Sequence, residues 1–204
     1  FFYKSADIPA VFSSGWYDAF SVAASNQYAS MAMKNNLPQR LLIGPWNHGG
    51  LRGGQSYTGD VDFGPSASYG NEKYNQERLS WFDHWLQDIP NGVENSPPVR
   101  IFVMGGGTAL PNPEGRLDHG GQWRNENEWP LARTIYTRMY LDQDSLLNWS
   151  MPKQPKASKS FNYDPENPVP TISSNALGMF KLAKGSKYDN EKGGRIFHRL
   201  DTLY

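Results

Sequence analysis

Two residues of this chain have side chains, and a spacing, that nucleophilic catalysis uses. Asp18 closes the segment Gly15-Trp-Tyr-Asp18, and His48 closes Gly44-Pro-Trp-Asn-His48; each segment follows a short apolar run. A carboxylate bonded to imidazole Nδ1 fixes the tautomer and steadies the imidazolium formed during reaction. The other ring nitrogen is then free to take a proton from a serine. A plainer reading stands beside this one. Asp at the entry to a helix is a good N-cap, and a histidine in a turn needs no chemical role. Spacing alone leaves both readings open.

The elements that must position the pair can be read from the same stretch. Ile8-Pro-Ala-Val-Phe12, bounded by Asp7 and Ser13-Ser-Gly15, has the length and apolar run of a buried strand. Residues 19–34 lack Gly and Pro and fit a helix, stopped by Asn35-Asn36 and Pro38. Arg40-Leu-Leu-Ile-Gly44, closed by Pro45, is a second buried strand. Strand, helix and strand with short links make a βαβ unit, whose two strands run parallel. Ligands of open α/β sheets bind beyond the carboxyl ends of the strands, which is where Asp18 and His48 fall. Along the chain the acid precedes the base. The α/β-hydrolase order Ser, Asp, His would therefore put a serine upstream of Phe1.

Further along, residues 49–71 are rich in Gly, Ser, Asp and Tyr with no period, and read as a long loop. From Glu72 to Gln87 the pattern is helical. Leu79, Phe82 and Leu86 fall at i, i+3 and i+7 as the expected apolar face, with Trp81 and Trp85 alongside. Val99-Arg-Ile-Phe-Val103 alternates as a strand does, and Gly105-Gly-Gly107 ends it. Residues 105–132 read as a loop-rich link. From Tyr136, Met139, Tyr140 and Leu141 onward, short β-like pieces read as the start of a β-sandwich. The expected organisation is an α/β part over residues 1–133, followed by a β-sandwich that begins at 134–204.

Composition narrows the partners. The 204 residues carry 20 Lys+Arg against 20 Asp+Glu. A surface built to neutralise phosphates is basic, so no nucleic-acid partner is expected. With 10 Phe, 7 Trp and 11 Tyr the chain can bury a sizeable core. No apolar run reaches the roughly 18 residues that span a bilayer, so no membrane partner is expected. Without cysteine there is no disulfide, no thiolate nucleophile and no Cys-based zinc site. H-E-x-x-H and H-x-x-x-H are absent, and no metal or cofactor is expected. The chain opens at Phe1 without a charged leader and stops at Tyr204 in a strand-like stretch. It is expected to be a piece of a longer protein, whose compartment and oligomeric state the sequence leaves open.

Six short motifs occur in a telling order: Gly15-Trp-Tyr-Asp18, Gly44-Pro-Trp-Asn-His48-Gly, Asp62-Phe-Gly64, Trp81-Phe-Asp-His-Trp-Leu86, Val99-Arg-Ile-Phe-Val-Met-Gly105 and Trp123-Arg with Trp129-Pro130. Together they resemble the cocaine-esterase-like and Xaa-Pro dipeptidyl-peptidase-like serine hydrolases, the CocE/NonD family. The resemblance runs from about residue 8 to 141, and more weakly through Tyr163-Asp-Pro165 and Pro168-Val-Pro170. It implies the last part of an α/β-hydrolase domain over 1–133 and the beginning of a jelly-roll β-sandwich over 134–204. It also implies Asp18 as triad acid, His48 as triad base and Phe20 as a substrate-binding aromatic near the acyl pocket. The substrate would be a small-molecule ester or amide, or a peptide from which an Xaa-Pro dipeptide is removed. The family's nucleophile lies in a Gly-x-Ser-Tyr-x-Gly elbow well before the acid, and its oxyanion donors include an upstream tyrosine. Both are expected to lie outside these 204 residues, so the chain alone should be inactive. The reading from a different class is a non-catalytic β-sandwich module for binding or assembly.

One segment imitates the elbow. Gly54-Gln-Ser-Tyr-Thr-Gly59 spells it letter for letter, but it follows the histidine, no apolar strand leads into it and no helical pattern leaves it. An elbow needs strand, turn and helix, so Ser56 reads as part of a glycine-rich loop. Among the other histidines, His84 reads as a packed helix residue. His119 and His198 lie in polar segments without a second ligand at metal spacing.

Overall fold

The computed structural model describes residues 6–34, 36–142, 146–152, 158 and 160–164. Its centre is a four-stranded sheet in the order β1 (Ala10–Gly15), β2 (Gln39–Gly44), β5 (Val99–Met104), β7 (Gly121–Glu126). β1 and β2 run parallel, with Ala10 opposite Gln39 and Gly15 opposite Gly44. β2 and β5 are also parallel, and β7 closes the sheet antiparallel to β5. The architecture is mixed α/β.

The expected βαβ unit is present. Helix α1 (Ser21–Ala32) returns the chain from β1 to β2 and buries Tyr28 and Met31. Tyr28 packs with Leu41, Ile43, Val99 and Ile101 on one face of the sheet, and Phe12 lies edge-on to its ring. Because neighbouring strand residues point to opposite faces, Leu42 goes to the other side, where it meets Trp46 and Tyr69. A third cluster, of Val61, Phe63, Ala67 and Phe102, continues the core beneath the 56–69 segment.

Residues 49–71, expected as a loop without period, contain several elements. These are the single helical turn α2 (Gly50–Gly53), β3 (Tyr57–Thr58) paired antiparallel with β4 (Val61–Asp62), and a 3-10 turn at Pro65–Ala67. β6 (Leu117–Asp118) joins β4 in parallel to complete a small three-stranded sheet. The link expected over 105–132 therefore holds two strands, β6 and β7. Their polar side chains and flanking glycines hide the strand pattern, because β7 is an edge strand with one wet side.

The expected face of helix α3 (Gly70–Gln87) is corrected. Leu79 is 61% exposed, Phe82 46% and Leu86 74%, whereas Trp81 is buried. The helix thus turns its aromatic Trp81 inward and its leucines outward. Of the β-sandwich expected over 134–204, the described part is the short antiparallel pair β8 (Tyr140–Leu141) and β9 (Leu147–Asn148). The other described residues of that region, Tyr136 and Met139 among them, form no strand, while residues 165–204, with His198 and the Pro168-Val-Pro170 motif, lie outside the described residues. No helix among the described residues is long and apolar enough to cross a membrane.

Candidate active site

β1 and β2 end level with each other, and the turns that leave them are sewn together. Trp16 N–H donates to Gly44 O at 2.9 Å and Tyr17 N–H donates to Trp46 O at 3.1 Å. These two bonds carry the parallel ladder past the end of the sheet. Gly15 makes that approach possible. A Cβ on Gly15 would collide with the Trp46 carbonyl, and one on Gly44 would enter the Trp46 ring.

The turns bring Asp18 and His48 together. His48 Nδ1 lies 3.1 Å from Asp18 Oδ2. The Asp18 side chain is 9% exposed and that of His48 45%. Oδ1 of the same carboxylate accepts the Phe20 N–H at 3.0 Å, and the Asp18 carbonyl accepts Ser21 N–H at 3.1 Å. The helix-entry role and the histidine-pairing role are thus shared between the two oxygens. A carboxylate held at one oxygen cannot swing away from the imidazole without losing the first bond. With Nδ1 facing a carboxylate, the neutral ring places its proton on Nδ1 and leaves the Nε2 lone pair free. Among the described residues no hydrogen bond engages Nε2. The Phe20 ring stands edge-on to His48 with centroids 5.5 Å apart and is itself 52% exposed. The structure therefore gathers all three sequence-predicted residues, Asp18, His48 and Phe20, at one exposed end of the sheet.

Ser56 sits between α2 and β3, with no strand leading into it, and no hydrogen bond joins it to His48. The element order strand, turn, helix that an elbow needs is missing there. The remaining candidates have structural partners. His84 Nδ1 lies 3.2 Å from Ile89 O and 3.4 Å from Glu94 Oε2, and its ring is edge-on to Trp85. The ring of His119 packs against Phe63. The Trp16 indole donates to Phe102 O at 2.8 Å and tilts against Trp129. No group of three His, Asp or Glu residues that could hold a metal is found among the described residues.

The sequence reading missed the residues that hold the histidine-bearing turn from behind. Thr58 Oγ1 donates to Pro45 O at 2.9 Å, and Trp46 Nε1 donates to Ala67 O at 2.9 Å; both bonds are buried. Trp123 Nε1 donates to Ser66 O at 2.8 Å, so two indoles cap successive carbonyls of the 3-10 turn. The chemistry of indole offers a sequence-level signal. A buried tryptophan has one N–H to satisfy, and a Gly-Pro-rich segment nearby offers free carbonyls.

Much of the chain is similar to known proteins. Residues 91–197, just over half the chain, match the X-Pro dipeptidyl-peptidase C-terminal non-catalytic domain. Asp18 and His48 precede that match. The chain is 30% identical over 177 residues to the cocaine esterase of Rhodococcus sp. (strain MB1 Bresler), an alignment that covers 83% of this chain and 28% of the relative. The chain thus spans little more than a quarter of that relative's length. Two crystal structures of a CocE/NonD family hydrolase from Staphylococcus aureus are also similar. One has a TM-score of 0.46 at 15% identity, covering 71% of this chain and 21% of that one. The other has a TM-score of 0.49 at 16% identity, covering 72% and 22%. On the domain match and the esterase relative, the chain belongs to the cocaine-esterase-like CocE/NonD family.

Proposed function

We propose that Asp18 and His48 are the acid and base of a Ser-His-Asp triad in a serine hydrolase of the α/β-hydrolase fold. The observation that carries this reading is the 3.1 Å pairing of Asp18 Oδ2 with His48 Nδ1 beyond the carboxyl ends of two parallel strands. In this proposal residues 1–133 form the last part of the hydrolase domain and 134–204 begin the jelly roll. The nucleophile and the oxyanion donors come from a segment outside these residues. The substrate is an ester or amide acyl group, with release of an Xaa-Pro dipeptide as one version of the same chemistry.

The steps follow from the ring geometry. Serine Oγ attacks the carbonyl carbon while His48 Nε2 takes its proton. The Asp18 carboxylate faces the charge that develops on the imidazole. The tetrahedral intermediate collapses as Nε2 hands the proton to the leaving group. Water, with Nε2 again as base, then releases the acid and frees the serine. Phe20, edge-on to the imidazole, walls the space where the acyl group lies. None of these steps calls for a metal or a cofactor.

A second reading has its own support, since residues 91–197 match a domain described as non-catalytic. In that reading the β-rich part binds or assembles, Asp18 only caps a helix and His48 is a histidine in a turn. Hydrolysis of a p-nitrophenyl ester separates the two. In the longer protein, His48→Ala removes nearly all turnover under the triad reading and leaves it intact under the other. The 204-residue chain by itself shows no His48-dependent turnover. A rate in the chain alone that vanishes in His48→Ala overturns the placement of the serine.

A further inference from the structure

The imidazole of His48 is half exposed and is held at its ring by one carboxylate and one aromatic edge. Its direction therefore depends on where the backbone of residues 45–47 is fixed. Two buried groups fix it. Thr58 is 1% exposed, and its hydroxyl donates to the carbonyl of Pro45, three residues before the histidine. A hydroxyl in such a place costs free energy unless it is bonded, and this bond is the one that satisfies it. Trp46 is likewise 1% exposed. Its indole N–H reaches Ala67 O, and its ring lies 5.4 Å from Tyr69 and 5.6 Å from Trp123 between centroids. The carbonyl of the same residue accepts Tyr17 N–H from the turn that carries Asp18. Trp46 thus ties the 56–69 segment to both halves of the pair.

We propose that Thr58 and Trp46 are positioning residues for His48, acting through the backbone of residues 45–47 to aim Nδ1 at Asp18. The proposal rests on His48 as the base, and it gives the 56–69 segment a task. β3, β4 and the 3-10 turn form a clamp on the histidine-bearing turn. Thr58 acts at Pro45 O and Trp46 at Ala67 O, so loss of either bond lets the turn relax and lets the imidazole rotate out of line.

The test is 15N NMR of the imidazole nitrogens in the 204-residue chain at a pH where the ring is neutral, with His48 assigned by its loss in His48→Gln. The measured quantity is the ratio of the Nδ1–H to the Nε2–H form, taken alongside the urea midpoint. Thr58→Val keeps the shape of the side chain and removes the donor; Thr58→Ser keeps the donor. Folded Thr58→Val lowers the ratio by about fivefold, the factor that one ordinary net hydrogen bond sets, and Thr58→Ser restores it. A wild-type ratio in Thr58→Val overturns the proposal. So does a ratio in Thr58→Ser as low as in Thr58→Val. Should Thr58→Val not fold, Trp46→Phe, which keeps a ring and loses the N–H, decides by the same criterion. Asp18→Asn separates the two levels of the argument. If it leaves the ratio unchanged, the Asp18–His48 pairing itself fails. If Asp18→Asn and Thr58→Val both move the ratio but the longer protein shows no His48-dependent hydrolysis, the triad reading falls and the positioning role stands.

Discussion

Asp18 Oδ2 lies 3.1 Å from His48 Nδ1 while Asp18 Oδ1 accepts the backbone N–H of Phe20. The carboxylate is a bridge between the first turn of α1 and the ring of the proposed base. Asp18→Asn keeps the shape of that bridge and changes its chemistry. The new amide can keep the Phe20 bond through its oxygen and then presents an NH2 to Nδ1. That group donates where the carboxylate accepted, so the ring proton moves to Nε2 and the lone pair a serine needs is lost. In the longer protein kcat for a p-nitrophenyl ester falls about 10⁴-fold, the scale of the same change in other Ser-His-Asp enzymes. Steady-state kinetics measure it; a loss below tenfold would mean that Asp18 does not set the tautomer.

The same pair depends on a residue with no side chain at all. A Cβ at Gly15 would run into the carbonyl oxygen of Trp46, which is the acceptor for Tyr17 N–H. Gly15→Ala must push the two turns apart, and the cost is that of overpacking against backbone, about 1–3 kcal/mol. A lower urea midpoint at unchanged slope is the expected result. An alanine tolerated at the wild-type midpoint would show that the turns are free to separate.

How much of this the sequence discloses depends on how local each signal is. β1, α1 and β2 are legible because short apolar runs and a stretch free of Gly and Pro sit next to each other. Asp18 and His48 are legible because strand ends are where an α/β sheet keeps its chemistry. The clamp is not legible. Thr58 lies in a two-residue strand, too short for any period to register, and its bond to Pro45 spans 13 residues. β7 escapes notice for a different reason. Gln122, Arg124 and Asn125 look like loop residues, yet they pair with β5 in full register from Val99 to Met104. An edge strand needs backbone partners on one side only, and its side chains can remain polar.

Glu126, at the end of β7, makes the fold sensitive to acid. Its carboxylate is 8% exposed and takes Arg133 Nη1 on Oε2 at 2.8 Å, Arg133 Nη2 on Oε1, and Arg124 Nε on Oε1 at 2.5 Å. The hydrogen bonds from Arg133, then the charges of Arg133 and Arg124, hold its carboxyl below the ordinary glutamate value against the opposing pull of desolvation. A carboxylate depressed in the folded state contributes its stability in full above the ordinary value and loses it as pH falls through the folded one. The urea midpoint therefore drops as pH falls below the ordinary glutamate value of 4.5. Glu126→Gln lowers the midpoint at pH 7 and flattens the acid limb. An equally steep limb in that variant would assign the acid sensitivity to another carboxylate.

Helix α3 offers the sharpest contrast between pattern and packing. Its leucines at 79 and 86 and Phe82 have the spacing of a buried face, yet all three are exposed, and Trp81 alone is buried. The reason lies in what the helix meets. Trp81 reaches down to the sheet, where the Arg40 guanidinium stands 5.5 Å from its ring centre and Trp85 lies 5.8 Å away. Arg40 in turn donates to Val93 O at 3.0 Å, and burial pulls its guanidinium below the usual range. The Trp81 face gives that half-buried charge a π surface as well as apolar packing. Two substitutions read the difference directly. Trp81→Ala removes a buried indole and costs about 3–5 kcal/mol. Leu86→Gln changes a side chain that is already 74% exposed and shifts stability by less than about 0.5 kcal/mol. Urea denaturation of the 204-residue chain measures both. The reverse ranking, with Leu86 the costly position, would mean that α3 packs by its leucine stripe, as the sequence period suggests.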